Sequence, residues 1–285
     1  MEIGMGLPNS LREASGPNLI EFARRSEQAG FTTLATIDRI AYPSYESLVT
    51  LAAGAAVTER IRLMPNVLLG PTRNPVMLAK ESASVDRLSN GRLVLGLGVG
   101  GRQDDFDLVG LGFHDRGKRW DQDLELIHRV WAGEPINGTL NPVGPTPTND
   151  QRVPILIGGS TEAAIRRTVQ YGIGWTAGGA PPDAVAPFAE RVRAAWKDAG
   201  RQGDPKIVAL SYYSVGEEEA AKRYVTDYYG FLGDFAMQMA EWIPKDANAI
   251  KATVSAFEDI GVDELILDAT VDHPDQVDKL AEIVF

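Results

Sequence analysis

The chain has 285 residues, 44% hydrophobic and 24% charged, which suits one large globular domain with a sizeable core. A formal charge of −11, with Arg and Lys scattered singly or in pairs, excludes a nucleic-acid surface built on a basic patch. The absence of cysteine excludes disulfides, thiolate metal sites and a cysteine nucleophile. No apolar run reaches the roughly 18 residues of a membrane span, and Met1-Glu2-Ile3-Gly4-Met5-Gly6 lacks the basic start of a signal peptide, so the cytoplasm is the expected location.

A first strand over 3–7 runs into Leu7-Pro8-Asn9-Ser10, and a helix over 18–29 stops at Gly30. The second strand, 33–38, runs into Asp38-Arg39-Ile40-Ala41-Tyr42. The next helix, 45–58, is apolar around most of its girth, which predicts a second partner beside its own core and hence a homodimer. A third strand over 61–69 contains Pro65 and the polar Asn66, so its backbone is expected to be irregular. Helix 75–88 ends in Leu88-Ser89-Asn90-Gly91, and the fourth strand, 92–98, leads to Gly98-Val99-Gly100-Gly101-Arg102. Helix 117–132 precedes a loop at 133–152 rich in Pro, Gly, Asn and Thr; this loop and 102–120 are the expected substrate loops. Strands at 154–158 and 173–177 flank helix 161–171 and end in Gly158-Gly159-Ser160-Thr161 and Ala177-Gly178-Gly179. Helix 183–199, strand 206–213, a helical insertion at 217–241, helix 246–260, strand 264–268 and helix 275–284 complete the chain.

The strands read as continuous apolar runs, the mark of parallel strands covered on both faces. Eight of them alternating with eight helices predict a single-domain α/β fold over 1–285, a (β/α)8 TIM barrel with insertions. A doubly wound open sheet is the alternative. Special residues gather after the strands rather than before them, and this locates a mouth at the C-terminal end.

Gly158, Gly159 and Ser160, opening a helix, suit an anion held by free backbone N–H groups, with Arg166 and Arg167 as added positive potential. Gly178 and Gly179 close the adjacent strand. Gly96-Leu97-Gly98-Val99-Gly100-Gly101 fits the dinucleotide fingerprint, the basis for a rival reading as an NAD(P)-dependent dehydrogenase. Arg102-Gln103-Asp104-Asp105 follows it instead of an apolar helix, a poor place for pyrophosphate. His114, His128 and His273 show no metal-ligand spacing, and His128 fits a packing role inside its helix.

At Asp86-Arg87-Leu88-Ser89-Asn90-Gly91-Arg92-Leu93-Val94-Leu95-Gly96-Leu97-Gly98-Val99-Gly100 the sequence resembles the luciferase-like monooxygenase superfamily. The likeness also covers Thr58 to Leu63, Arg73-Asn74-Pro75, Arg116 with Asp121, Ile157 to Ser160, Gly172 to Trp175 and Ala256 to Leu265. The resemblance implies an oxidoreductase or monooxygenase using FMN or coenzyme F420 on a small organic substrate, with a separate flavin or F420 reductase as a partner. A flavin-binding barrel without turnover is the non-enzymatic alternative. It implies cofactor contacts at Asp38, Asn66, Val67, Gly98, Gly100, Gly158, Gly159, Ser160, Gly178 and Gly179, with a cis peptide at Asn66-Val67 behind the ring. Arg39, where many relatives carry histidine, and Tyr42 are the catalytic candidates; arginine cannot serve as a base near neutrality. Gly101 stands where some deazaflavin relatives place a glutamate. Tyr42, Tyr45, Trp120, Tyr212 and Tyr213 are candidate pocket walls.

Overall fold

In the computed structural model, which describes residues 1–150 and 152–285, every apolar run expected as a strand lies between helices. Strand β1 (Glu2–Gly6) is followed by α1 (Gly16–Ala29), β2 (Thr33–Thr36), α2 (Ser47–Ala55), β3 (Arg62–Pro65) and the short β4 (Leu68–Leu69). Then come α3 (Pro75–Leu88), β5 (Leu95–Gly98), α4 (Gln103–Leu108) and α5 (Arg116–Trp131). The second half runs β6 (Ile155–Gly158), α6 (Glu162–Tyr171), β7 (Gly174–Gly179), α7 (Pro182–Asp198) and β8 (Lys206–Tyr213). The insertion forms α8 (Glu218–Tyr228) and α9 (Asp234–Glu241), before α10 (Ala247–Asp259), β9 (Glu264–Ala269) and α11 (Asp275–Val284).

All strands are parallel, in the order β3-β2-β1-β9-β8-β7-β6-β5-β4. β3 and β4 are two halves of the expected third strand, parted at Asn66-Val67, whose peptide bond is cis. The lower half pairs with β2 and the upper half with β5. Leu63 N–H donates to the Arg92 carbonyl at 3.1 Å and Val94 N–H to the Leu63 carbonyl at 2.9 Å, which brings the two edges together into a barrel. The regular ladder of the fourth strand starts at Leu95 rather than at 92; before it Leu93 makes a single parallel bridge to Leu63, while the Arg92 guanidinium donates to the carbonyls of Ala55, Thr58 and Ile61.

Helix ends follow local chemistry. Gly30, at φ +96°, ends α1 in a conformation that a side chain would strain. Asn74 accepts hydrogen bonds from the N–H groups of Val76 and Met77 ahead of Pro75 at the start of α3.

Inside the barrel, side chains stack in layers. The bottom is ionic: Glu264 meets Arg62 at 3.0 Å and Lys206 at 2.7 Å, and both cations also reach Glu2. Above it Ala35, Met64, Leu156, Val208 and Ile266, each at most 1% exposed, form a solid apolar layer. The top layer carries Asn66, Gly98, Gly158 and Asp268. The insertion packs Tyr224, Val225, Tyr228 and Met239 onto Ile37, Leu210 and Tyr212, and so roofs one half of the mouth.

The 133–152 loop corrects an expectation. Thr148 N–H donates to Asp86, Arg87 donates to the Thr146 carbonyl, and Asn149 donates to the Gly91 carbonyl. These bonds pin its described part to the end of α3, on the face away from the mouth, so it is no substrate loop.

Candidate functional site

A cavity of about 650 Å³ opens among the C-terminal strand ends. Of the residues singled out from sequence, it is lined by Asp38, Asn66, Val67, Gly98, Gly100, Gly158, Gly159, Ser160 and Gly178.

Its floor is made by the break in the third strand. The Val67 side chain lies over two glycines: a Cβ on Gly98 would stand 2.5 Å from Val67 Cγ2, and one on Gly158 2.9 Å from Cγ1. Glycine is therefore required at both positions for the valine to fit. Asn66 is 7% exposed; its Oδ1 accepts from Thr176 Oγ1 at 2.7 Å, while its Nδ2 has no partner. A buried amide donor left over at a cavity floor is costly unless a ligand accepts from it.

The far end is the glycine-rich turn that opens α6. Gly159 takes φ +109°, and the Thr161 hydroxyl caps α6 by accepting from Ala164 N–H. Ser160 is exposed there. Arg167, buried one turn on, bonds Asp121 Oδ1 at 2.6 Å and donates to the Gly117 carbonyl at 2.7 Å. Arg166 instead points outward, with a side chain 64% exposed. Arg116 donates to the carbonyls of Gly100 and Phe113, and pairs with no carboxylate among the described residues. Sequence reasoning missed Arg116 as a site residue, as it missed His114 and Arg102. It also missed the roof residues Tyr228, Tyr229 and Phe231, which line the same cavity.

Asp38 is the one carboxylate lining this cavity, and its charge is already matched. Its Oδ2 accepts from Leu69 N–H at 2.9 Å and from Arg73 at 2.8 Å. It therefore joins the loop after β2 to the end of β4 and the turn that follows it. Arg102 makes a parallel tie, bonding Asp105, whose carboxylate accepts from the N–H groups of Ile40 and Ala41. In a chain of net charge −11, the mouth is thus lined by Arg102, Arg116 and Arg167.

Arg39 and Tyr42 do not line the cavity. Arg39 donates to the Tyr228 carbonyl at 2.9 Å and lies over the rings of Tyr42, Tyr228 and Phe231, fastening the roof. The Tyr42 hydroxyl bonds Asp227 on α8; burial, and then that carboxylate, push its pKa up to about 12. Gly179 faces Tyr212, Leu210 and Met239 in a smaller cavity of about 90 Å³. Tyr45 is exposed, Trp120 is buried against Gly70, Tyr213 is sealed in the core and Tyr212 lies behind Tyr229, so none of these walls the mouth. His128 stacks on Tyr171, the packing role expected of it. Gly96 and Gly98 sit within β5, and the helix that follows carries Asp104 and Asp105 in its first turn, which denies the glycine run a pyrophosphate site.

The family model described as luciferase-like monooxygenase matches residues 1–283. The chain belongs to this family. The crystal structure of monooxygenase RslO1 from Streptomyces bottropensis superposes with a TM-score of 0.82 at 22% identity, covering 100% of this chain and 98% of that one. An F420-dependent secondary alcohol dehydrogenase in complex with an F420-acetone adduct gives 0.80 at 15% identity, covering 100% and 98%. The FMN complex of the oxygenating constituent of 3,6-diketocamphane monooxygenase, from a plasmid of Pseudomonas putida, gives 0.76 at 16% identity, covering 99% and 95%. This luciferase-like chain shares their barrel. No helix among its described residues is long and apolar enough to cross a membrane.

Proposed function

We propose that this luciferase-like protein is an oxidoreductase that holds FMN or coenzyme F420 in the mouth cavity and acts on a small organic substrate. The observation that carries the reading is the pairing of the two cavity ends. An apolar wedge with an unused amide donor, Val67 and Asn66, faces a glycine-rich helix start backed by Arg167. A planar heterocycle with acceptor atoms and a phosphate-bearing tail fits both. Asn66 Nδ2 would donate to the ring, Val67 would support its face, and Gly158, Gly159, Ser160 and Arg116 would hold the phosphate. When bound, the reduced ring supplies the chemistry: flavin activates oxygen, whereas deazaflavin passes hydride. The chain's own part is to orient the ring and exclude water. Tyr228, Tyr229 and Phe231 shield it from above; His114 and the hydroxyls of Tyr228, Tyr229, Ser160 and Thr161 are among the proton-bearing groups at the cavity, to which Gly101 adds none.

Parallel fluorescence titrations of the apoprotein with FMN, F420 and NADPH test this. FMN or F420 should bind and NADPH should not; NADPH binding alone would overturn it. Substrate-dependent reoxidation of the bound, reduced cofactor separates an enzyme from a flavin-storing barrel.

We further propose a cytoplasmic homodimer served by a separate flavin or F420 reductase. The groove between α2 and α3 supports the dimer: Val49, Met77 and Leu88 line it and are 68%, 49% and 74% exposed. Large apolar side chains sharing one groove suit a second apolar surface.

A further inference from the structure

The roof covers a carboxyl that the cofactor reading does not use. Asp268 is the last inward-facing residue of β9, 1% exposed, and neither of its oxygens has a hydrogen-bond partner among the described residues. Its neighbours in register are Gly6 on β1 and Tyr212 on β8. A Cβ at Gly6 would stand 2.5 Å from the carboxyl carbon, so glycine there leaves the acid its space. The ionisable groups that feel its charge are all hydroxyls: Tyr212 and Tyr213 from β8, Tyr224 and Tyr229 from the roof. β1 offers only glycine. The loop after β1 offers Asn9, bonded to the Ile37 main chain, and Ser10, bonded to Tyr224. From α11, Asp275 bears on Tyr213 and adds a like charge. Burial alone pushes the Asp268 pKa well up, with no cation to oppose it.

We propose that Asp268 couples the roof to the proton: the insertion stays closed over β8, β9 and β1 while Asp268 is the neutral acid, and loss of its proton releases α8 and uncovers that half of the mouth. An ionised carboxylate buried without a partner is strongly disfavoured, and opening the roof is the route by which water reaches it. The roof's surface contacts do not change charge near neutrality. Asp227 is held below the usual carboxylate range by its bond to Arg12, and Tyr42 stays protonated to about pH 12.

The sign follows from linkage. In the open state Asp268 is hydrated and titrates in the ordinary carboxylate range; closed, it keeps its proton to higher pH. Closure is therefore complete at low pH, and opening rises about tenfold per pH unit above that range until the buried acid itself ionises.

Hydrogen–deuterium exchange of peptides spanning 218–229, corrected for intrinsic rate, tests this between pH 5 and 8 on the apoprotein, so it does not depend on the cofactor reading. Wild type should lose protection by about tenfold per pH unit within the window, while D268N and D268L should stay protected with no slope. Peptides from α3 should be flat in all three proteins. H273Q serves as a control, because His273 stands in the outer groove with Asp227. A flat wild-type profile, a slope that persists in D268N and D268L, or a slope abolished by H273Q would overturn the proposal. If one variant fails to fold, as judged by circular dichroism, the other decides.

Discussion

Asp38, expected at the cofactor and found lining the cavity, also has a mechanical task that can be weighed. Its side chain is 2% exposed and that of Arg73 is 14% exposed, with 2.8 Å between them. Breaking one partner of such a pair costs about 3–5 kcal/mol. Two features lower the figure for D38N. The amide oxygen can still accept from Leu69 N–H, and Glu46, 3.1 Å from Arg73, keeps the guanidinium partly paired. About 2 kcal/mol should be lost in D38N and about 4 kcal/mol in D38L, which also strands the Leu69 N–H. For 285 residues the unfolding entropy is about 0.6 kcal/mol/K, so melting should fall by about 3 and 7 °C. A double-mutant cycle with R73M, read by urea unfolding, should show a coupling of about 2 kcal/mol. FMN or F420 affinity of folded D38N should stay within about threefold of wild type. A coupling below about 0.5 kcal/mol, or an affinity loss above tenfold without destabilisation, would refute the strut.

Three further outcomes follow from the same geometry. S160D puts a carboxylate at the exposed start of α6 and should weaken cofactor binding at least about tenfold, as read by titration; unchanged affinity for every candidate cofactor would move the phosphate elsewhere. Glu264 loses solvation by burial, yet Lys206 and Arg62 hold its pKa below the ordinary value, so its stabilising contribution is present at neutral pH and fades as pH falls. E264Q should be less stable at pH 7 and show a shallower loss of stability between pH 5 and 3, checked by chemical unfolding across that range. V49E charges the α2–α3 groove and should convert a dimer into a monomer without lowering the melting temperature, as read by light scattering; a wild-type monomer at micromolar concentration would remove the dimer proposal.

Much of the architecture was legible because its signals are local. Continuous apolar runs mark the strands, and Gly30 and the Asn74-Pro75 pair mark helix ends within a residue or two. The Gly158–Thr161 cradle was legible for the same reason: glycine, hydroxyl and helix start are consecutive. The misplacements are long-range. Asp38 lines the cavity as expected, but nothing in its local sequence shows that Arg73, 35 residues on, holds it. Arg39 reads as a catalytic cation until Tyr228, 189 residues away, takes its guanidinium. The walls of the mouth come from the insertion, where Tyr228, Tyr229 and Phe231 sit in a helix and turn with no spacing to distinguish them from packing. The third strand was expected to be irregular on account of Pro65 and Asn66, and it is broken at the latter.

The layered interior bears on traffic. A sealed apolar disc lies above the ionic base, with Ala35, Met64, Leu156, Val208 and Ile266 all but inaccessible. Nothing can thread the barrel from below, so the mouth is both entrance and exit. On the proposed reading, a large ring seated on Val67 would have to come in before a smaller guest settled above it. Product would then leave by the same opening that Phe231 lines and that reactant passed on arrival. The shape of a blind well would thus impose the order of binding.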